Sequence, residues 1–186
     1  MPTVEIIVAV DPVGGFGRNG QIPWTCKEDM KRFTTISKEI RVCVMGKNTY
    51  KDMLDMQMKK EGAEERIKEK GILPERESYV VSSTLKPEDV IGATVVPDLR
   101  AVLNQYHDSD QRIAVIGGEK LYVQALASAT KVHMTVMHKP YNCDRTLPMS
   151  YIDKKFVAGQ GSITIQTAVD GETHPVKFIT YERARP

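Results

Sequence analysis

Between Ile22 and Phe33 the chain reads IPWTCKEDMKRF, a Pro-Trp corner followed five residues after Trp24 by an acidic side chain, Asp29. If a helix begins near Cys26, then Asp29, Phe33 and the pair Ile36/Ser37 share one face, at i, i+4 and i+7/8. That face would carry a lone carboxylate among apolar groups, an arrangement with a cost, because a buried unpaired charge tends to neutralise instead. One reading is a carboxyl at the floor of a pocket, able to bind a cationic or amidine-like ligand edge and to assist proton transfer. The other is a helix-start acid placed favourably against the macrodipole. The segment alone leaves both open.

Three glycine-bearing stretches could also do chemistry. Gly14-Gly15-Phe16-Gly17-Arg18-Asn19-Gly20 has four glycines in seven residues, suited to close backbone approach to a ligand, to a mobile lid, or to a plain surface turn. Gly46-Lys47-Asn48-Thr49 follows an apolar run, so a helix N-terminus, a cation and a hydroxyl would meet there; this is either an anion site or an ordinary strand-to-helix junction. Gly117-Gly118 follows Ile113 to Ile116 in the same way. Two such junctions place bare backbone where ligands bind in an open α/β sheet, at strand carboxyl ends.

The elements that would position these groups follow from periodicity. Val4 to Val10 (VEIIVAV) reads as a central strand covered on both faces, Arg41 to Met45 as a second, Tyr79 to Ser83 as a third and Thr94 to Val96 as a short fourth. Pro97-Asp98 opens a helix with a Leu99, Val102, Leu103, Tyr106 stripe. Lys131 to His138 is another strand, and Ser162 to Val169 with Val176 to Tyr181 forms a hairpin about Asp170-Gly171. Asp55 to Ile72, with five basic and five acidic residues, reads as a solvated insertion carrying a Glu64/Lys68 pair at i, i+4. The result is a three-layer α/β/α domain over residues 1–186, with a mixed, mostly parallel sheet closed by an antiparallel hairpin.

Composition narrows the function class. Of 186 residues 41% are hydrophobic, enough for one core, and 26 basic against 24 acidic side chains give a net charge of +2 with the signs interleaved. That disfavours a nucleic-acid surface. Cys26, Cys43 and Cys143 are odd in number and widely spaced, and the histidines lack ligand spacing, so neither a disulfide framework nor a metal site is indicated. Without a secretory leader pattern or a long apolar run, a soluble cytoplasmic protein is expected.

Taken in order, GGFGRNGQIPW, Asp29 with Phe33, VMGKNTY, LPERESYVVSS, AVIGGEKLY, Thr135, DRTLP and the terminal KFITYER resemble the dihydrofolate reductase family over nearly the whole chain. The resemblance implies NADPH-dependent reduction of dihydrofolate, sensitivity to antifolates, and a monomer with a dimer as the alternative. It implies that Asp29 holds the pterin with Thr135 beside it, that Trp24 walls the nicotinamide side and holds a water, and that Ile7, Val8, Phe33, Met53 and Ile116 line the pterin pocket. Arg76 would bind the α-carboxylate of the glutamate tail. For the cofactor it implies Ala9, Gly17 and Asn19 over the nicotinamide. Gly117 and Gly118, joined by a cis peptide, would meet the pyrophosphate and ribose with Lys120, Leu121 and Tyr122. Gly46, Lys47, Thr49, Ser82 and Ser83 would stand at the 2'-phosphate end.

Glu119 departs from the small residue many relatives have there, and Lys47 and Lys120 stand where some have arginine. A pteridine or riboflavin-pathway reductase and a non-catalytic module on the same fold are the rivals; Asp29 after the Pro-Trp corner, with Arg76, argues against the first, and intact Asp29, Trp24 and the Gly117-Gly118 pair against the second.

Overall fold

The apolar run near the N-terminus becomes the central strand of a computed structural model that describes residues Met1 to Pro186. Its elements in order are β1 (Thr3–Val10), β2 (Gly15–Gly17), α1 (Lys27–Ile40), β3 (Val42–Gly46), α2 (Lys47–Met58), α3 (Ala63–Lys70), β4 (Glu77–Val81), β5 (Thr94–Val96), α4 (Leu99–Gln105), β6 (Arg112–Val115), α5 (Glu119–Leu126), β7 (Lys131–Val136), β8 (Arg145–Thr146), α6 (Met149–Lys155), β9 (Phe156–Ala158), β10 (Ile163–Val169) and β11 (Glu172–Arg183).

The main sheet has the order β10-β11-β7-β1-β6-β3-β4-β5, with β9 added against β11. From β7 to β5 all neighbours are parallel, whereas β11 runs antiparallel to β7 and β10 to β11. Alternation along the strands divides the core between the two faces, since successive side chains point opposite ways. On β3, Val42 and Val44 join one apolar cluster with Leu121 of α5, Val102 of α4 and Ile152 of α6. Cys43 and Met45 join another with Ile40 of α1, Tyr50 of α2 and Ile67 of α3. Helices therefore cover both faces, and the expected three-layer architecture is present.

Several local expectations change; β4 ends at Val81, so Ser82 and Ser83 follow the third strand, and β7 ends at Val136 before His138. Arg41 is not in the second strand; at φ 77° it ends α1, and β3 starts one residue later. The stretch 55–72 is only partly solvated. Helix α2 continues to Met58, and Ala63, Ile67 and Ile72 are buried in the core of that sheet face. The charges expected to face water do so, and Lys68 Nζ donates to Glu64 Oε1 at 2.7 Å. The dominant polar composition hid three apolar residues at spacings of four and five. No helix is long and apolar enough to cross a membrane.

Strand β1 lies between β6 and β7, although β3 to β5 intervene in sequence. The chain therefore changes direction across the sheet at β1 and β6, and a crevice opens at their carboxyl ends. Val10, Gly46, Ser82, Ile116 and Val136 all end or directly follow parallel strands on that edge.

Candidate active site

Helix α1 starts where the sequence suggested, with Cys26 at the N-cap and Glu28 and Asp29 in the first turn. No side chain caps it, so the two acids complement the free amides. Its third residue carries Asp29 to the carboxyl ends of β1 and β7. There Ala9, Thr135 and Phe178 stand in register on β1, β7 and β11. Burial pushes the Asp29 carboxyl above the ordinary aspartate range, and the Thr135 hydroxyl, by hydrogen bonding, and the Arg32 charge pull against that rise without cancelling it. The group is therefore a desolvated carboxyl with raised proton affinity rather than a solvated surface acid.

Apolar side chains surround this position. Ile7 and Ile116 are buried in the sheet face under α1 and α2, with Phe33 and Met53 packed against them. Val8 points to the opposite face, into the cluster containing Tyr122, so its side chain is not in the same layer as Ile7. Trp24 is buried and meets Tyr141 edge-on with centroids 5.2 Å apart. It belongs to a small cluster with Cys26, Met137, Tyr141, Val169 and Val176 against which Ala9 and Phe178 pack. The Pro-Trp corner is thereby anchored on the C-terminal hairpin.

Two strand-to-helix junctions meet beside this pocket. Gly117 and Gly118 are joined by a cis peptide, and Gly46 N donates to Gly117 O at 2.8 Å. Gly117 has φ 134°, and a Cβ on it would stand 3.0 Å from Thr49 Oγ1; only glycine suits both the conformation and the approach. The first turns of α2 and α5 thus converge, and their leading amides have no helical partner. Leu121 is buried, and the Tyr122 side chain is turned away from the surface. Its hydroxyl donates to Ile7 O at 3.0 Å, its amide donates to Gly118 O, and Phe16 meets it edge-on at 5.3 Å. Lys120 and Glu119 are exposed.

At the outer end, Lys47 Nζ donates to Thr84 Oγ1 at 3.0 Å. Ser82 Oγ accepts from the amides of Thr84 and Leu85 and so shapes this turn, leaving Ser83 exposed beside it. Arg76 lies at the other end of α1. Its Nη1 donates to Ser37 Oγ at 2.8 Å and its Nε to Pro74 O at 3.0 Å. Asp29 and Ser37 are eight residues apart on one helix, a rise of about 12 Å, so the carboxyl and the guanidinium stand near opposite ends of α1.

The glycine loop is held at several points. Strand β2 pairs with β8, Asn19 N donates to Asp144 Oδ2 at 2.9 Å, and Arg18 Nη1 donates to Tyr141 O at 2.8 Å. Buried Asp11 accepts from the amides of Val13, Gly15 and Tyr141. Asp170 Oδ1 accepts from Thr25 N. Gly17 is buried while Asn19 and Gly20 are exposed, and a polar cleft of about 550 Å³ opens between Gly20, Asp144 and Arg145 on one side and Asn48, Lys51, Asp52 and Asp55 of α2 on the other. Sequence reasoning missed these anchoring acids. Asp11-Pro12 carried a turn signal for one of them, and Asp170-Gly171 was read only as a hairpin.

Arg32 was also missed, although it stands one helical turn after Asp29. Its Nη1 donates to Thr135 Oγ1 and its Nη2 to Ile179 O, each at 3.3 Å, and the guanidinium lies 4.9 Å from the Phe178 ring centre.

A family model described as dihydrofolate reductase matches residues 3–61 and 65–183, including most of the stretch expected to be an insertion. Dihydrofolate reductase type A10 of Escherichia coli is 31% identical over 146 residues, covering 76% of this chain and 70% of that protein. Dihydrofolate reductase of Ureaplasma parvum serovar 3 is 30% identical over 138 residues, covering 74% and 77%. A bifunctional dihydrofolate reductase-thymidylate synthase of Paramecium tetraurelia is 27% identical over 144 residues, 76% of this chain but 27% of that longer protein. With its buried carboxyl and paired glycine junctions on the matched residues, the chain belongs to the dihydrofolate reductase family.

Proposed function

We propose that this chain, as one reductase domain, reduces 7,8-dihydrofolate to 5,6,7,8-tetrahydrofolate with NADPH as the reductant. The observation that carries this reading is the pairing of Asp29 with Thr135 at the carboxyl ends of β1 and β7, beside the two converging glycine junctions.

The residues present fit a dinucleotide. Gly117 leaves space against Thr49 that a Cβ would fill, and the amides opening α2 and α5 suit a pyrophosphate. Lys47, with Thr84 and Ser83 close by, offers a cation and hydroxyls to a 2'-phosphate, which favours NADPH over NADH because the extra charge is paired. Gly46 and the amides of Lys120 and Leu121 complete that cradle, while the Tyr122 side chain supports it from beneath through Ile7. Ala9, Gly17 and Asn19 border the nicotinamide end. When bound, NADPH supplies the hydride.

The chain's own residues bind, orient and bias the proton. As a carboxylate, Asp29 accepts from the 2-amino group and N3 of the pterin and fixes its orientation. Its negative charge raises the proton affinity of N5, which leaves C6 electron-poor and open to hydride. Ile7, Val8, Phe33, Met53 and Ile116 exclude bulk water, through side chains or strand backbone, and so strengthen that electrostatic effect. Trp24 closes the pocket from the loop side. Arg76, steadied by Ser37 and Pro74, presents its remaining donors to the substrate's α-carboxylate. Three free cysteines suit a reducing cytoplasm, where we place the protein as a monomer.

The test is loss of NADPH absorbance on adding dihydrofolate, repeated with a tight antifolate and with Asp29→Asn. Steady oxidation stopped by the antifolate and crippled by the substitution is the expected result. NADPH binding without oxidation would overturn the reading.

A further inference from the structure

Arg32 is a half-buried cation fixed by three contacts one helical turn from the pterin carboxyl. Its guanidinium spreads over Phe178, and its two terminal nitrogens donate to Thr135 Oγ1 and Ile179 O. It spends these donors on β7 and β11 rather than on Asp29, three residues before it. A direct, forked ion pair would be the stronger contact, but it would occupy the carboxylate oxygens that a pterin needs.

A guanidinium has donors and no acceptor. When it donates to the Thr135 oxygen, the hydroxyl hydrogen must be directed elsewhere, and the carboxyl whose proton affinity Thr135 lowers is Asp29. We propose that Arg32 is a positioning residue, which turns the Thr135 hydroxyl toward Asp29 and, by bonding to β7 and β11 instead of to that carboxyl, leaves both of its oxygens to the ligand. The proposal rests on the reading of Asp29 as the pterin-binding carboxyl. It adds a residue that touches neither substrate nor cofactor but sets the state of the group that does.

The charged and titratable groups facing Asp29 are few. Arg32 faces it from α1 and Tyr122 from α5, with the Thr135 hydroxyl from β7. The Tyr122 phenol, itself raised by burial and by Asp29, stays neutral across the working range. Arg32 is therefore the one cation opposing the desolvation of this carboxyl. A purely structural Arg32 would tie α1 to β11 through Ile179 and Phe178 and leave the Asp29 titration untouched.

The test is a ¹³C NMR titration of the Asp29 side-chain carboxyl in the ligand-free protein, its resonance assigned by loss in Asp29→Asn. It needs no turnover, so its failure is distinct from failure of the reductase reading. Arg32→Met keeps the apolar stem but removes charge and donors; Arg32→Gln keeps donors; Arg32→Lys keeps charge. The expected result is a titration midpoint moved to higher pH in both Arg32→Met and Arg32→Gln, with Arg32→Lys close to the parent. Thermal melts establish that each variant is folded, and Arg32→Gln carries the test if Arg32→Met is not. An unmoved midpoint in a folded Arg32→Gln or Arg32→Met protein would overturn the proposal.

Discussion

The amide of Gly46 donates to the carbonyl of Gly117 at 2.8 Å. This bond joins the ends of β3 and β6, which are hydrogen-bonded neighbours through Val44 and Val115, and so brings together two helix N-termini some seventy residues apart in sequence. Cofactor affinity should depend on that alignment. Gly117→Ala, with φ 134° and a Cβ 3.0 Å from Thr49 Oγ1, is expected to cost about 1 to 3 kcal/mol of stability and to weaken NADPH binding more than dihydrofolate binding. Urea unfolding and fluorescence titration with each ligand check both statements.

Asp29→Asn should lower hydride transfer by roughly 10²-fold or more at neutral pH while NADPH binding persists. Its stability should move the other way. The folded carboxyl lies above its unfolded range, with burial the leading cause, so its contribution is fully present at low pH and is lost as pH rises through the folded value. At pH 7 the asparagine variant should melt higher than the parent, and the two should converge in acid. Single-turnover kinetics and melts at pH 4 and 7 decide this.

Arg76→Leu removes a fork already steadied by Ser37 and Pro74. Folate and glutamate-tailed antifolates should lose roughly tenfold to a hundredfold in affinity, the worth of a charged hydrogen bond or two. Ligands without the tail should be spared. Equal losses in parallel binding titrations would place the tail elsewhere.

Lys47→Ala should weaken NADPH by about tenfold or more while leaving NADH nearly unchanged, because only the former carries the extra phosphate. Matched losses for the two cofactors, measured as dissociation constants, would move the 2'-phosphate away from Lys47 and Thr84.

A separate charge cluster governs acid stability. Glu5 on β1 is 2% exposed and accepts from Arg112 Nε at 2.5 Å, while His133 Nε2 lies 2.7 Å from it. Burial alone would raise its carboxyl, but the hydrogen bonds with His133 and Arg112 outweigh it and hold the pKa at about 2. This depressed carboxyl contributes stability above about pH 4.5 that is lost as pH falls toward about 2. Glu5→Gln should cost about 3 kcal/mol at pH 7 and flatten the acid dependence, as measured by denaturant unfolding across that window.

Much of this protein is determined locally and is visible in its sequence. Strand β1, the start of α1 at Cys26, the Asp98 cap that accepts from Ala101 N and the turn at Asp170-Gly171, with both φ values positive, follow from apolar periodicity and turn chemistry, which act over a few residues. The same spacing put Asp29, Phe33 and Ser37 on one helix face. Only the tertiary structure decided what those faces meet. That Ile67 is core within a charged stretch, that Val8 and Ile7 serve opposite layers, that Asp11 and Asp144 hold the glycine loop while Asp170 holds Thr25, and that Arg32 reaches Thr135 all depend on strand order and register across long sequence separations. Periodicity names a face but not its partner. Burial, and with it the proton affinity of a carboxyl such as Asp29, exists only once the partner is in place.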